Sequence, residues 1–598
     1  MITAELTSER DAAWFEELAG AVERGRTRLL SLQQPDGHWC GEVESAGLEA
    51  DLILLLAFLG KGDDPRVRLA ANELLAREPR APEDVSAAVK RYLALKVAGH
   101  AAEEPLMRRA AEYVRALGGA EAADTPTLFW LAVLGQIPYS ACPAVPVERM
   151  LLPRWTRLGV GEVAAWERPA RVALGVIDAF KPVTRLPESM HVGELFLAPP
   201  RDSGGLFKKL ERRGVTPLRR RAVRKAVNWV RARYADSDGL GAGFTSLAWN
   251  AAALKCLGVP DGDPEARWVL AEIDALCVRE GETLRVLPYR AAVSDTAASL
   301  TALAEAGLAG TSLECDSAVR WLLAREVRRA GDWSENVRGA EPGGWSFAGR
   351  NAFYPCVEST AGALCALARS GNAMRGACAG AVHRAINWLL AMQNPDGGWS
   401  RFDRGVKADP SCPGVTGRVL EALGPFGFRV GQPPVSAAVN LLLSHQSECG
   451  AWGDSFRLTR HVLAGLQAAG FDVALPVGRR AVRWLKESQN EDCGWGEGIS
   501  TASETAWAVL GLMGAREGDS PEVRAGAEFL VGTQRADGAW AGAARRGALD
   551  TLPLAALGQY RQAVLAECTT GSGEFRVGPS RPSGPTPHAA TQAPPKAA

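Results

Sequence analysis

In the stretch FYPCVEST, Phe353–Thr360, one carboxylate, Glu358, stands between Cys356 and Ser359. Pro355 fixes the approach to an apolar helix expected to begin near Thr360. A carboxyl in that place has two kinds of chemistry. In an apolar cavity it keeps its proton and serves as a general acid; beside a fixed cation it is an anion, fit for an ion pair or a base. Little else in the chain competes. The seven histidines, at 38, 100, 191, 383, 445, 461 and 588, show no HExxH spacing, and the twelve cysteines form no CxxC or ligand cluster. No metal site and no cofactor are expected. There is no GxSxG and no P-loop, and the GLGAG at Gly239–Gly243 lacks the preceding strand of a dinucleotide fingerprint.

Glu358 has to be positioned by a large, neutral chain. Of 598 residues, 68 are Lys or Arg and 68 are Asp or Glu, so nothing drives the protein toward nucleic acid. The scattered cysteines fit a reduced, cytoplasmic compartment, as small buried apolar residues. The opening MITAELTSERD is too polar for a signal peptide, and LILLLAFLG (Leu52–Gly60) is too short to span a bilayer. The expectation is a soluble protein or one lying on a membrane surface. The Pro/Ser/Gly-rich segment 569–598 reads as a disordered tail.

The elements themselves repeat. LLSLQQPDGHW, WLLAMQNPDGGW, LLLSHQSECGAW, WLKESQNEDCGW and FLVGTQRADGAW place a Gln six residues before a Trp: Gln33 and Trp39, Gln393 and Trp399, Gln446 and Trp452, Gln489 and Trp495, Gln534 and Trp540. A Leu precedes each Gln by four residues, on the same helical face. Asp-Gly or Cys-Gly then stops the helix, and the Trp folds back over the Gln. A worn copy, WLLAREVRRAGDW, has Glu326 in the Gln place and Trp333 one residue late. An apolar, small-residue helix follows each unit, as in TAGALCALARSG and VTGRVLEALG. The units therefore read as helix, tight turn and helix, roughly 45 residues each. The fold class is all-α, and few repeats with apolar second helices favour closure into an α/α barrel. The tryptophans are scaffold. Residues 55–285 carry helical periodicity without clean units. The basic run Leu206–Tyr234 reads either as a solvated helix face or as a contact for anionic lipid headgroups.

These repeats resemble the QW motifs of the squalene–hopene and oxidosqualene cyclases. The resemblance is collinear over about residues 25 to 565, through LGQIPYSACPAVPVERMLLP, AVSDTAASLTAL, GGWSFAGRNAFYP and LPLAALGQYRQ. It implies two α/α barrels: an N-terminal segment, 1–54, packed with the C-terminal barrel of 286–568, and an inserted barrel of 55–285. It also implies a linear triterpene or polyprenyl lipid as ligand, an apolar cavity lined by aromatic residues, and monotopic attachment to a membrane surface. Cations on a folding polyene need such a dry, π-lined site. By this resemblance Glu358 is the proton donor, Asp295 its support, and Arg418 stands where the family has a His. Trp166, Phe353, Tyr354 and Phe402 match aromatic positions of the substrate cavity. The chain departs from the family's DxDD, with Cys356, Glu358 and Ser359 at the acid positions. Two hypotheses follow. One is a divergent triterpene cyclase, an isomerase with Glu358 as its acid. The other is a lapsed barrel that binds a polyprenyl lipid or a protein partner, with Arg418 reaching Glu358 and holding it as an anion.

Overall fold

The computed structural model describes residues 9–570 apart from 44, 46, 78–83, 154–155, 157–158, 201–215, 235–236, 242 and 541–548. Among these residues the regular structure is helical save for one antiparallel hairpin, Cys277–Glu280 with Thr283–Val286. Residues 571–598, most of the segment read as a disordered tail, lie outside the description, as do 206–215 of the basic run. The described remainder of that run is the helix Thr216–Arg231 and the turn 232–234. The helix buries Ala222, Ala226 and Val230 and leaves most of its arginines in water, whereas Arg233 in the turn is buried.

The chain forms two α/α barrels. The inner wall of the second is built from Ala292–Glu305, Val357–Arg369, Pro413–Leu423, Phe456–Ala468, Ala502–Gly514 and Thr551–Thr570. Each packs on the next, and Thr551–Thr570 packs back on Ala292–Glu305, closing the ring. Outside lie Glu9–Ser31, Leu313–Leu323, Ala377–Ala391, Pro433–Ser444, Pro476–Glu487 and Pro521–Thr533. Inner helices are buried nearly all round. Outer ones bury a single stripe, as in Pro476–Glu487 with Gly478, Ala481 and Leu485, at the three- and four-residue spacing of one helical face. The inner helices Pro413–Leu423 and Phe456–Ala468 approach backbone to backbone. A Cβ on Gly417 would lie 2.4 Å from the His461 carbonyl oxygen, and one on Gly465 would lie 2.3 Å from that of Gly417.

The first barrel has its own core, drawn from Ala50 to Leu287. Its buried helices are Leu48–Phe58, Val85–Val97, Thr125–Val133, Arg168–Phe180 and Phe244–Cys256. The core of the second barrel takes residues from Leu18 to Trp39 and from Ala292 onward. The helix Leu48–Phe58, which straddles the boundary read at residue 54, packs in the first core.

The repeat works through three hydrogen bonds. Each Trp indole N–H donates to the carbonyl of the Leu ten residues earlier: Trp39 to Leu29, Trp399 to Leu389, Trp452 to Leu442, Trp495 to Leu485 and Trp540 to Leu530, at 2.6–2.8 Å. The Trp backbone N–H donates to a Thr hydroxyl in the first turns of an inner helix: Trp39 to Thr296, Trp399 to Thr416, Trp452 to Thr459 and Trp495 to Thr505. The Gln amide donates to its own turn and to the first turns of another outer helix, as Gln393 does to the Gly397 and Pro434 carbonyls at 2.7 and 2.8 Å. Gln534 differs in reaching the Ala21 carbonyl midway along Glu9–Ser31, tying the last unit to the first helix. The worn copy corrects the sequence reading. Its working tryptophan is Trp345, which donates to the Leu322 carbonyl (2.7 Å) and to the Thr360 hydroxyl (2.9 Å). An enlarged turn separates it from Trp333. Glu326, in the Gln place, accepts two bonds from Arg384 at 2.7 and 2.8 Å.

Candidate active site

The helix carrying Glu358 begins at Val357, so Glu358 lies inside its first turn rather than ahead of it. Cys356 caps the helix with extended backbone, its N–H donating to the Trp345 carbonyl, while the Val357 N–H donates to that of Arg401. A carboxylate in a first helical turn also meets the positive end of the helix dipole. Two guanidiniums face Glu358. Arg457 bonds its Oε1, and the Arg401 Nε lies 3.4 Å from its Oε2. The Glu358 side chain is 27% exposed, those of Arg401 and Arg457 50% and 49%.

Arg418 does not pair with Glu358. It lies three residues before Glu421 on one helix and donates to it at 3.0 Å. Arg460 grips the same carboxylate with both terminal nitrogens (2.8 and 2.9 Å), and Arg369 reaches it at 3.1 Å. Burial opposes the Glu421 charge, but Arg460, Arg418 and Arg369 together hold its carboxyl well below the usual range. Burial, with Arg460 and Arg418 beside it, holds His461 well below the usual histidine range. The cation at the family's His position thus serves an ion cluster inside the barrel.

Asp295 sits in the first turn of the neighbouring inner helix and accepts from the Gly41 N–H at 2.8 Å, pinning the N-terminal segment. At this end the two helices are linked one residue away, where the Ser294 and Ser359 hydroxyls meet at 2.9 Å. Trp166 and Phe402 pack at 5.3 Å between ring centres, Phe402 and Phe347 at 6.1 Å, and Phe347 and Tyr289 at 5.1 Å. This aromatic row runs from the first barrel toward Glu358. The Tyr289 phenol is raised by burial and feels Arg401, Asp295 and Glu358. Phe353 instead lies beside Arg233 and Arg329, at 5.5 and 5.3 Å. Tyr354 is buried; its hydroxyl accepts from Arg233 (3.0 Å) and donates to Asp332 (3.1 Å). Close by, Arg168 of the first barrel bonds Asp403 of the second at 2.6 Å. Burial pushes Asp403 up to about 6 even against that partner.

Sequence reading missed Arg401, Arg457, Phe347, Tyr289 and Glu504. Aligning the inner helices on their Trp-binding threonines would have found two of them. Arg457 then falls where Glu358 does, two residues before the Thr, and Glu504 where Asp295 does, one residue before it. Burial raises Glu504, with Arg457 nearby acting against the rise. A cavity of about 570 Å³ in the second barrel lies not at Glu358 but toward the other end, lined by Arg369, Glu421, Arg429, Arg460 and Arg516. Among the described residues no group of three or more His, Cys, Asp or Glu is arranged to hold a metal ion.

Comparison with known proteins gives two adjoining matches. Residues 22–282 match the squalene-hopene cyclase N-terminal domain, and residues 291–550 match the squalene-hopene cyclase C-terminal domain. Among curated proteins, the chain is 32% identical to the squalene-hopene cyclase of Schizosaccharomyces japonicus, over 88% of this chain and 91% of that one. It is 30% identical to that of Zymomonas mobilis, over 88% and 90%. It is 31% identical to that of Alicyclobacillus acidocaldarius, over 91% and 98%.

Proposed function

Because the chain belongs to the squalene–hopene cyclase family, we propose that it is a triterpene cyclase that binds a linear C30 polyene along the Trp166, Phe402 and Phe347 rings and starts its cyclisation from Glu358. One observation supports this reading above the rest. Glu358 occupies the first turn of an inner helix and lies within electrostatic reach of Tyr289, the last ring of the aromatic row, where the terminus of an extended chain would meet it. Protonation at that terminus starts a cation that the aromatic faces stabilise and that loss of a proton ends.

The two arginines set the conditions. While both are seated, they bind the carboxylate form, which has no proton to give. Both side chains are half exposed, and an apolar chain entering beside them can turn them outward, so that the carboxylate takes a proton from solvent before the chain seals it into a dry site. An epoxide oxygen is far more basic than an alkene, so oxidosqualene is the favoured substrate. Purified protein incubated with squalene and with oxidosqualene, followed by mass spectrometry of the extract, tests this. Cyclised product should come chiefly from oxidosqualene and vanish in Glu358→Gln, whose amide keeps the shape without the acid. Undiminished product from that variant would remove Glu358 from the reaction.

The Arg401–Glu358–Arg457 arrangement also favours a second reading, a lapsed site that holds a polyprenyl lipid without converting it. Unchanged polyene recovered bound to the protein, with no product from either substrate, is its signature. Attachment to a cytoplasmic membrane surface is part of the proposal. No helix of the described residues is long and apolar enough to cross a membrane. The first barrel exposes Leu152, Phe180, Val183 and Leu197 to water. Flotation with anionic liposomes should carry the protein upward; failure to float at low and high salt would rule attachment out.

A further inference from the structure

The cavity of about 570 Å³ lies where the C-terminal halves of the inner helices converge, about 16 Å along the helix from Glu358. Its wall includes apolar residues, among them Cys365, Ala464, Ala468 and Leu510. Its charges are unbalanced. Arg369, Arg429, Arg460 and Arg516 line it, and Arg418 stands behind Glu421. Against these five guanidiniums stand two carboxylates, Glu421 and the Glu305 that pairs with Arg369. Glu517, the acid next to Arg516, is taken by Lys486 at 2.7 Å. Helix C-termini carry partial negative charge, and Arg429 answers it by donating to the Gly424 and Phe428 carbonyls. Neither Arg429 nor Arg516 has a carboxylate partner among the described residues.

Arg516 is the informative residue. Inner helices Ala292–Glu305, Val357–Arg369 and Phe456–Ala468 leave through the same turn, with Gly307, Gly371 and Gly470 at φ +87°, +70° and +78°. Ala502–Gly514 makes that turn with the same backbone bonds, Arg516 N–H to the Met513 carbonyl and Glu517 N–H to that of Leu512. Here the left-handed residue is an arginine, at φ +63°. A side chain is disfavoured in this slot, which glycine fills elsewhere. The chain accepts that strain and gains a guanidinium on the cavity wall.

We infer that this cavity is a binding site for a multiply charged phosphate-type anion, a diphosphate or phosphate ester, held by Arg429 and Arg516 at the mouth, with Arg369 and Arg460, whose terminal nitrogens serve Glu305 and Glu421, adding their positive field from within. Planar guanidinium forks match such oxygens in pairs. A formal surplus of three positive charges suits a diphosphate better than a carboxylate. The site is separate from Glu358, and the inference stands apart from the cyclase reading.

The test uses the full chain and inorganic diphosphate, by calorimetric titration and thermal melting. Wild type should bind at one site and melt higher with diphosphate. Arg516→Gly suits the turn, so its melting point without ligand should equal or exceed that of wild type, while affinity falls by about tenfold. Arg429→Gln with Arg516→Gly should fall further. Arg68→Gln with Arg320→Gln, which removes two exposed charges elsewhere, should leave affinity unchanged. A parallel arm compares phosphatidylglycerol with phosphatidylcholine vesicles. Diphosphate binding without vesicle binding marks a soluble ligand; vesicle binding that Arg516→Gly abolishes marks a lipid headgroup. No binding to either probe, or equal affinity in wild type and the Arg429/Arg516 variant, overturns the inference.

Discussion

Replacing Glu421 by Gln should be the most damaging isosteric change in the second barrel. The Glu421 side chain is 5% exposed and its oxygens take bonds from Arg418, Arg369 and both terminal nitrogens of Arg460. Gln keeps the volume and removes the charge, leaving three guanidiniums around a neutral amide. Breaking a buried ion pair costs about 3–5 kcal/mol. Three partners push toward the upper end. Arg369, 31% exposed, regains some hydration and pulls the figure back to about 4 kcal/mol. For a body of this size each kcal/mol moves the melting point by about 2–4 °C, so Tm should fall by roughly 8–16 °C. Far-UV circular dichroism melts measure it. Linkage supplies a second check. The folded carboxyl lies below its unfolded value, so its contribution is fully present above the unfolded value of about 4.5 and is lost as pH falls through the folded one. The gap between wild type and variant should be flat from pH 8 to about 5 and should narrow in stronger acid. A loss under about 2 °C, or a gap that acid leaves unchanged, would refute the reasoning. Replacing Arg418, Glu421 and Arg460 together with methionines should recover most of the loss.

Other consequences are as open to measurement. Gln489→Leu abandons the Cys493 and Glu522 carbonyls, now reached at 2.9 and 3.1 Å, and should lower Tm by about 4–8 °C; no change would mean that the amide is not a clamp. Gly417→Ala, ordinarily favourable inside a helix, should destabilise by about 1–3 kcal/mol in denaturant unfolding, because its Cβ would strike the His461 carbonyl; a stabilised variant would contradict the close packing. Arg401→Gln with Arg457→Gln should raise conversion of oxidosqualene severalfold, read by mass spectrometry; a fall would assign the arginines to the reaction itself.

The barrel was legible because its clamps are local: Leu, Gln and Trp lie within ten residues, and their bonds follow from that spacing. The worn copy misled because the enlarged turn puts Trp333 almost where Trp345 should be. At the site, Glu358 was found by position, but its partners come from separate units, at Arg401 and Arg457, and no local spacing announces them. The direction of Arg418 was readable after all. VTGRVLE sets Arg418 three residues before Glu421, the reach of a single helical turn, and that nearer acid takes the guanidinium. The arginine-walled cavity was hidden for a different reason: its residues lie at the ends of separate helices, and each one alone reads as a helix terminus.

The closed ring has a consequence in time. Glu9–Ser31 completes the second barrel only when Thr551–Thr570 and the Gln534 clamp arrive, more than 500 residues later. At roughly 5–20 residues per second, synthesis keeps that first helix waiting from about half a minute to nearly two minutes. Its apolar stripe, with Leu18, Ala21, Val22 and Leu29, has no finished groove in that interval. The first barrel is nested between the two ends and can fold during the wait. The nascent chain therefore holds a finished body beside an open one, and the open one is where a chaperone would act.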